Sequence, residues 1–187
     1  MTQEDLFSRF KDRDRSFPDG IEQANEPEGG YHPRDVAAFG LSESARGSHA
    51  GPLLAAGDVQ GFAEMMNTSQ LGDRVVEVPD APSRRVKFLQ DDALLQMEKE
   101  GFPIRNISGD YRVSTANIDR LTALCMGCPE VLGARLSGAG LGGMLIVLGS
   151  EGFDETLDPI LRRDYYEPLG KDFRKIRIVP SQGAAFY

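Results

Sequence analysis

The sequence has little of what marks several large protein classes. Two of its 187 residues are cysteine, too few for the disulfide framework of a small secreted domain. No apolar run approaches the ~20 residues of a membrane-spanning helix. Acidic residues outnumber basic ones, and the net charge of −8 argues against a nucleic-acid-binding surface. The amino terminus is acidic and polar, unlike a secretory signal, so a cytoplasmic location is expected.

Length and composition favour one folded domain with a polar extension. Apolar residues make up 40% of the chain, and a chain of this length can bury a sizeable core. Residues 1–35 combine many charges with few apolar side chains, a composition typical of a polar arm or of peripheral loops. Residues 36–187 are then expected to form the domain.

Glycine is concentrated in one segment that lies between two short apolar runs. Five glycines fall within residues 133–143, and their spacing includes the Gly-x-Gly-x-x-Gly of a dinucleotide fingerprint. That fingerprint requires a following helix, whereas Met144–Leu148 is typical of a strand. A Walker loop is excluded because no Gly-Lys-Ser/Thr ends the segment. We therefore expect Val131–Leu136 and Met144–Leu148 to be antiparallel strands joined by a tight glycine turn.

Helical periodicity and capping residues predict the other elements. A helical hairpin is expected from Asp35 to about Leu71, with Gly57 ending its first helix and Asp58 capping its second. A helix capped by Ser114 or Thr115 is expected to bury Ile118, Leu121, Leu124 and Cys125. The remaining predictions are a strand at Arg74–Val78, a turn at Pro79–Pro82, a short helix capped by Asp91 or Asp92 and running through Met97, a helix around Phe153–Tyr165 and a last strand at Ile176–Val179.

The order of these elements predicts a fold of the α+β class. If Arg74–Val78 is counted as the first strand, the order strand, helix, strand, strand, helix, strand is that of a ferredoxin-like α/β sandwich. The predicted architecture is therefore an antiparallel sheet accompanied by a helical hairpin.

Several motifs, in a fixed order, match one known pattern. The run Gly133–Gly138 and the following Gly140–Gly143 form a strand that enters a glycine cluster, and Met144 stands where that pattern has cysteine. Together the motifs resemble the GHMP family of small-molecule kinases, and most closely the C-terminal domain of galactokinases. The further motifs of this resemblance are Glu43–Arg46, Leu53–Asp58, Phe62, Met65–Asn67, Asp110–Ser114 and Val179–Ala184.

The resemblance implies a function for the full-length enzyme, which would transfer a phosphoryl group from ATP to a sugar hydroxyl. ATP and Mg²⁺ are cofactors by resemblance alone, and neither is expected to be bound by this chain alone. The implied partner is an N-terminal kinase half, in the same chain or a separate one, or a second copy through self-association. The residues implied to lie beside the nucleotide or phosphate are Ser137, Gly138, Ala139, Gly140, Gly142 and Gly143.

The resemblance also shows what the chain does not contain. The serine-rich phosphate loop, the Gly-Glu-His-Thr-Asp-Tyr-like sugar motif and a partner for the catalytic aspartate are not found, and residues 72–109 look like an insertion into the family pattern. Phosphoryl transfer needs a phosphate cradle and a metal site, so no catalytic or metal-binding residue is assigned and the isolated chain is expected to be inactive. The alternative is a stand-alone, non-catalytic α+β module that binds a partner chain or a small ligand.

Two further features have alternative interpretations. Arg135, on the strand that enters the glycine turn, would either contact a phosphate or pair with an acidic residue on the solvent side. Cys125 and Cys128 form a single C-x-x-C at the end of a helix, without nearby histidines. This pattern favours buried cysteines over a zinc site or a redox motif. An exposed apolar face is expected where an N-terminal half would pack.

Overall fold

The computed structural model describes residues 2–10, 30–78, 89–138 and 143–178, which fold as a mixed α+β chain with a two-stranded antiparallel sheet. No helix in these ranges is long and apolar enough to cross a membrane. The elements are α1 (Gln3–Phe10), α2 (Pro33–Ala55), α3 (Val59–Asp73), α4 (Asp91–Lys99), α5 (Ala116–Met126), β1 (Val131–Ser137), β2 (Met144–Gly149) and α6 (Phe153–Leu161), with 3-10 turns at Ile104–Asn106 and Glu167–Leu169 and a π turn at Arg162–Tyr166.

The predicted helical hairpin is confirmed as α2 and α3. Pro33 lies in the first turn of α2, where its missing N–H leaves no helical hydrogen bond unmade. Gly57, with φ of +72°, reverses the chain after α2. Asp58 caps α3 as predicted, because its Oδ1 accepts a hydrogen bond of 2.8 Å from the Gly61 amide. The local sequence thus determines where both helices meet.

Residues 108–112 cross this hairpin at two glycines. The Gly72 carbonyl accepts a hydrogen bond of 2.8 Å from the Tyr111 amide. Gly109 has φ of +63° and lies so close to α2 that a Cβ there would be 2.5 Å from the Phe39 backbone nitrogen. The Tyr111 ring stacks on Phe39 with 5.0 Å between ring centroids. Residues 108–112 are therefore fixed to both helices by backbone contact.

The main core lies between α5, α6 and the sheet. Thr115 caps α5 as predicted, accepting a hydrogen bond of 3.3 Å from the Ile118 amide. Both cysteines are free and almost fully buried, which confirms the interpretation as core residues, and burial raises the pKa of Cys125 to about 12. The buried members of this core are Leu121, Cys125, Cys128, Val131, Ala134, Leu157, Leu161 and Tyr165.

The sheet confirms the predicted pair of antiparallel strands. Ser137 pairs with Met144 and Arg135 with Ile146, so these four residues share one face of the sheet. Ala134, on the opposite face, belongs to the core. Met144 is 62% exposed and Ile146 is 46% exposed, so within the described ranges the β2 side of this first face is uncovered. We call this face the open face.

The strand predicted at Arg74–Val78 is wrong. These residues have no strand partner in the described part of the chain. The amides of Val75 and Val76 instead donate hydrogen bonds of 2.8 and 3.0 Å to Oδ2 of Asp119 on α5. A buried carboxylate thus satisfies backbone donors that a neighbouring strand would otherwise bond. The alternating sequence predicted the extended backbone but not the partner.

The last predicted strand is not observed over the part that the structure describes. Residues 176–178 are not in a strand, Ile176 is 79% exposed and Ile178 is 76% exposed. The segment is tied instead to α6, since Lys175 Nζ lies 2.7 Å from Asp154 and 2.5 Å from Asp158. Two of the four strands required for a ferredoxin-like order are therefore missing from the described ranges, although the α+β class and the antiparallel pair are present.

Of four smaller predictions, the structure tests two. The short helix is present as α4, but its N-cap is Gln90 rather than Asp91 or Asp92. Both aspartates lie in the first turn, where negative charge interacts favourably with the helix dipole. The helix predicted at Phe153–Tyr165 is α-helical to Leu161 and continues as the π turn. The turn at Pro79–Pro82 and the motif Val179–Ala184 lie outside the described residues.

Candidate functional site

The candidate site begins at the end of the sheet where β1 leads into the glycine-rich segment 138–143. Ser137 ends β1, and Gly138 has φ of +92°, a conformation that L side chains rarely adopt. At the other end of the turn, a Cβ on Gly143 would lie 3.1 Å from the Ser137 carbonyl oxygen. The two ends of the turn are thus held close together. The other predicted site residues Ala139, Gly140 and Gly142 lie outside the described residues.

Arg135 lies on the open face and makes an ion pair across to the hairpin. Its Nη1 is 3.4 Å from Glu43 Oε2 on α2, and its Nε donates a hydrogen bond of 3.2 Å to the Leu136 carbonyl. The side chain remains 32% exposed. The sequence left two interpretations of Arg135, a phosphate contact or an ion pair with an acidic residue. The structure shows the ion pair, with Glu43 as the partner.

Glu43 also binds a second arginine one helical turn away. Arg46 Nη2 lies 2.6 Å from Glu43 Oε1, and Arg46 Nη1 donates hydrogen bonds of 2.8 and 2.9 Å to the carbonyls of Arg105 and Ile107. Burial opposes ionisation of Glu43, but the nearby Ser69 hydroxyl and the Arg46 guanidinium, which donates a hydrogen bond to the carboxylate, together outweigh it and lower the pKa of Glu43. This carboxylate therefore stays charged between two guanidinium groups.

Asp73, the last residue of α3, completes what we call the charged cluster: Glu43, Arg46, Asp73, Asp119 and Arg135. Asp73 is 4% exposed, and its Oδ1 has no hydrogen-bond partner among the described residues. Burial raises the pKa of Asp73 to about 6, against the opposing fields of Arg135 and Arg46. A buried carboxyl whose pKa is raised to about 6 thus lies near the end of β1 that leads into the glycine-rich segment.

The titration of Asp73 should make the stability of the fold depend on pH. Its folded-state pKa of about 6 exceeds the ordinary 3.8, so this contribution is full below 3.8 and is lost as the pH rises through about 6. We expect Asp73→Asn to gain stability relative to the parent by about 2 kcal/mol between about pH 4 and pH 7. Urea unfolding of both proteins across this range measures the difference.

Asp164→Asn provides the control with the opposite sign. A hydrogen bond from Arg163 lowers the pKa of Asp164, so that carboxylate stabilises the fold at neutral pH and loses its effect as the pH falls. Relative to the parent, Asp164→Asn should therefore lose stability as the pH rises. A pH-independent difference for Asp73→Asn would contradict the raised pKa of Asp73.

Two side-chain amides from α3 cover the outer edge of β1. Asn67 Nδ2 donates a hydrogen bond of 3.0 Å to the Leu132 carbonyl, and its Oδ1 accepts one of 3.1 Å from the Ala134 amide. Gln70 Oε1 accepts one of 2.7 Å from the Leu136 amide. These amides occupy the places of a neighbouring strand's backbone groups. They fix β1, and with it Arg135 and Ser137, to the hairpin.

A cavity of about 50 Å³ lies between α3, α5 and β1. Its polar lining includes Asn67, Gln70 and Asp119. This volume accommodates water, whereas binding sites for drug-sized ligands usually measure about 300 Å³ or more. The cavity is therefore too small to be a sugar or nucleotide pocket.

No protein-family model, curated protein or solved structure matches the chain. A functional assignment therefore depends on the sequence motifs and on where the structure places them.

Proposed function

We propose that this chain is the C-terminal domain of a galactokinase-like sugar kinase of the GHMP family, whose complete enzyme transfers a phosphoryl group from ATP to a sugar hydroxyl. The observation that supports the proposal is that residues from three of the family-like motifs contact one another or the same strand in the fold. Glu43 and Arg46 come from one motif, Asn67 from a second and Arg135 from the glycine-rich signature. Glu43 pairs with Arg46 and Arg135, and Asn67 bonds β1.

In this proposal the chain supports the nucleotide site rather than performing the chemistry. The hairpin holds β1 through Asn67, and β1 carries Arg135 and Ser137 to the start of the glycine turn. Backbone amides in a glycine-rich turn can approach a phosphate closely because no Cβ intervenes. Arg135, partly exposed and already paired with Glu43, adds positive charge at the same end of the sheet.

The cofactors of the proposed reaction are ATP and Mg²⁺, and the described residues fit a supporting role toward them. No group of three His, Cys, Asp or Glu side chains in the described ranges is arranged to hold a metal ion. Glu43 and Asp73 lie in the fields of Arg46 and Arg135, which compete with a cation. In this proposal the N-terminal half of the complete enzyme supplies the metal ligands and the main phosphate cradle.

The isolated chain should have no sugar kinase activity. Without a phosphate loop and a catalytic aspartate, it lacks both positioning and charge stabilisation of the transferred group. Incubation of the pure chain with ATP, Mg²⁺ and a panel of hexoses, followed by measurement of ADP release, tests this. Turnover at an ordinary kinase rate, about 1 s⁻¹ or more, would overturn it.

Reconstitution tests the assignment itself. The chain is mixed or co-expressed with the N-terminal half of a galactokinase that carries the serine-rich loop and the sugar motif. We expect hexose-dependent ADP release from the mixture and none from either half alone. If the folded chain never restores turnover to such halves, the kinase assignment fails and the non-catalytic binding module becomes the better reading.

A further inference from the structure

The two edges of the sheet differ in how they are protected. The outer edge of β1 is occupied by the side chains of Asn67 and Gln70. The outer edge of β2 receives no hydrogen bond from any residue in the described ranges, since β1 is its one strand partner there. Among the described residues, growth of the sheet by a further strand is therefore blocked on the side of β1 and open on the side of β2.

β2 also lacks the features that keep natural edge strands apart. Residues 144–149 contain no charged residue and no proline, and the irregularity in strand pairing occurs at Val131/Gly133 on β1. Gly143 and Gly149 flank the apolar run without side chains that would obstruct another backbone. An apolar, uncharged edge of this kind is a template for strand addition.

The sequence of β2 is suited to pair with itself. In an antiparallel pair centred on Ile146, Met144 lies opposite Leu148 of the second copy, and each residue stays on its own face because the side-chain period is two. Such a pair places the two most exposed side chains of the strand, Met144 and Ile146, in an apolar row shared by both copies. The strand itself carries no charge, so no like charges meet within the paired segment.

We propose that the outer edge of β2 is a homodimer interface, in which two copies of the chain pair antiparallel around Ile146. The product is a four-stranded sheet in the order β1, β2, β2, β1, with Asn67 and Gln70 closing both of its ends. The same surface of each copy meets its equivalent, so the assembly closes as a dimer and does not propagate. The proposal does not depend on the kinase assignment, because its test measures association and not activity.

Site-specific disulfide formation tests the pairing and its register. Cα atoms directly opposite each other in an antiparallel pair are about 4.5–5.5 Å apart, within the range of a disulfide. Ile146→Cys should therefore form a covalent dimer under mild oxidation. Met144→Cys is the matched control: its side chain is exposed, but the two copies of residue 144 are about 14 Å apart along the paired strands. The native cysteines are buried and should not crosslink.

Sedimentation analysis of the full chain gives an independent readout. The parent should sediment as a concentration-dependent dimer that strengthens with added salt, because salt screens the repulsion between two acidic chains. Ile146→Lys should shift the protein to monomer, since two like charges would meet at the symmetry axis. Ile176→Lys, at another exposed isoleucine, should leave the dimer unchanged, and circular dichroism verifies that both variants fold.

The results that would overturn the proposal are specific. A parent that remains monomeric at high micromolar concentration contradicts it directly. Equal dissociation by Ile146→Lys and Ile176→Lys would show association through general apolar contact rather than through β2. Equal crosslinking of Ile146→Cys and Met144→Cys would reject the register.

Discussion

Gly109→Ala is expected to lower the free energy of unfolding by about 3 kcal/mol, because two costs combine at this position. The backbone has φ of +63°, where an L side chain costs about 1–2 kcal/mol. The added Cβ would also lie 2.5 Å from the Phe39 backbone nitrogen and 2.6 Å from the Asp35 carbonyl oxygen. These atoms belong to α2 and cannot move without the helix, so overpacking adds about 1–3 kcal/mol. Urea unfolding measures the loss.

Gly101→Ala separates the two costs. Gly101 has the same φ of +63°, but a Cβ there would meet no atom within 4 Å. We expect this variant to lose about 1 kcal/mol, which is the conformational cost without the packing cost. If both variants lose the same stability, the close approach of residues 108–112 to α2 is not what stabilises this part of the fold.

The local signals in the sequence predicted what local chemistry controls. Asp58 and Thr115 cap their helices because a short polar side chain next to an apolar stripe binds the free amides of the first turn. The antiparallel pair β1 and β2 followed from two apolar runs too short to be helices. These elements required no knowledge of what lies across the molecule.

The predictions failed where a segment contacts a residue that is distant in the sequence. Arg74–Val78 alternates like a strand, but its amides bond Asp119, more than forty residues away. Gly109 lies in the segment 72–109 that was interpreted as an insertion, yet it packs directly against α2. Composition and periodicity predict neither the hydrogen bonds to Asp119 nor the left-handed φ of Gly109, because both depend on which elements pack together in the fold.

The candidate site was predicted in part. Residues three positions apart lie on the same face of a helix, so the spacing of Glu43 and Arg46 predicts an ion pair between them. Arg135 was singled out with an acidic partner as one of two interpretations, but nothing in the sequence identified that partner as Glu43, 92 residues away. Asn67 appeared only as part of a motif, and Asp73 had no sequence signal, since its raised pKa results from burial between elements.

Arg46→Met is expected to lower the free energy of unfolding by about 3 kcal/mol, near the lower end of the cost of breaking a buried ion pair. Arg46 is 4% exposed and its guanidinium binds Glu43 together with the carbonyls of Arg105 and Ile107. Methionine fills much of the same volume but donates no hydrogen bond, so those carbonyls lose their partners. The loss stays near the lower end because Arg135 still pairs with Glu43.

Arg163→Met tests whether burial, rather than pairing itself, sets this cost. Arg163 pairs with Asp164 at 2.6 Å, but its side chain is 72% exposed, and solvent-exposed pairs contribute little to stability. We expect a change in urea midpoint for Arg163→Met that is much smaller than for Arg46→Met. Equal changes would mean that Arg46 stabilises no more than a surface pair. Such a result would remove the reason to regard Glu43, Arg46 and Arg135 as the group that holds α2 against β1.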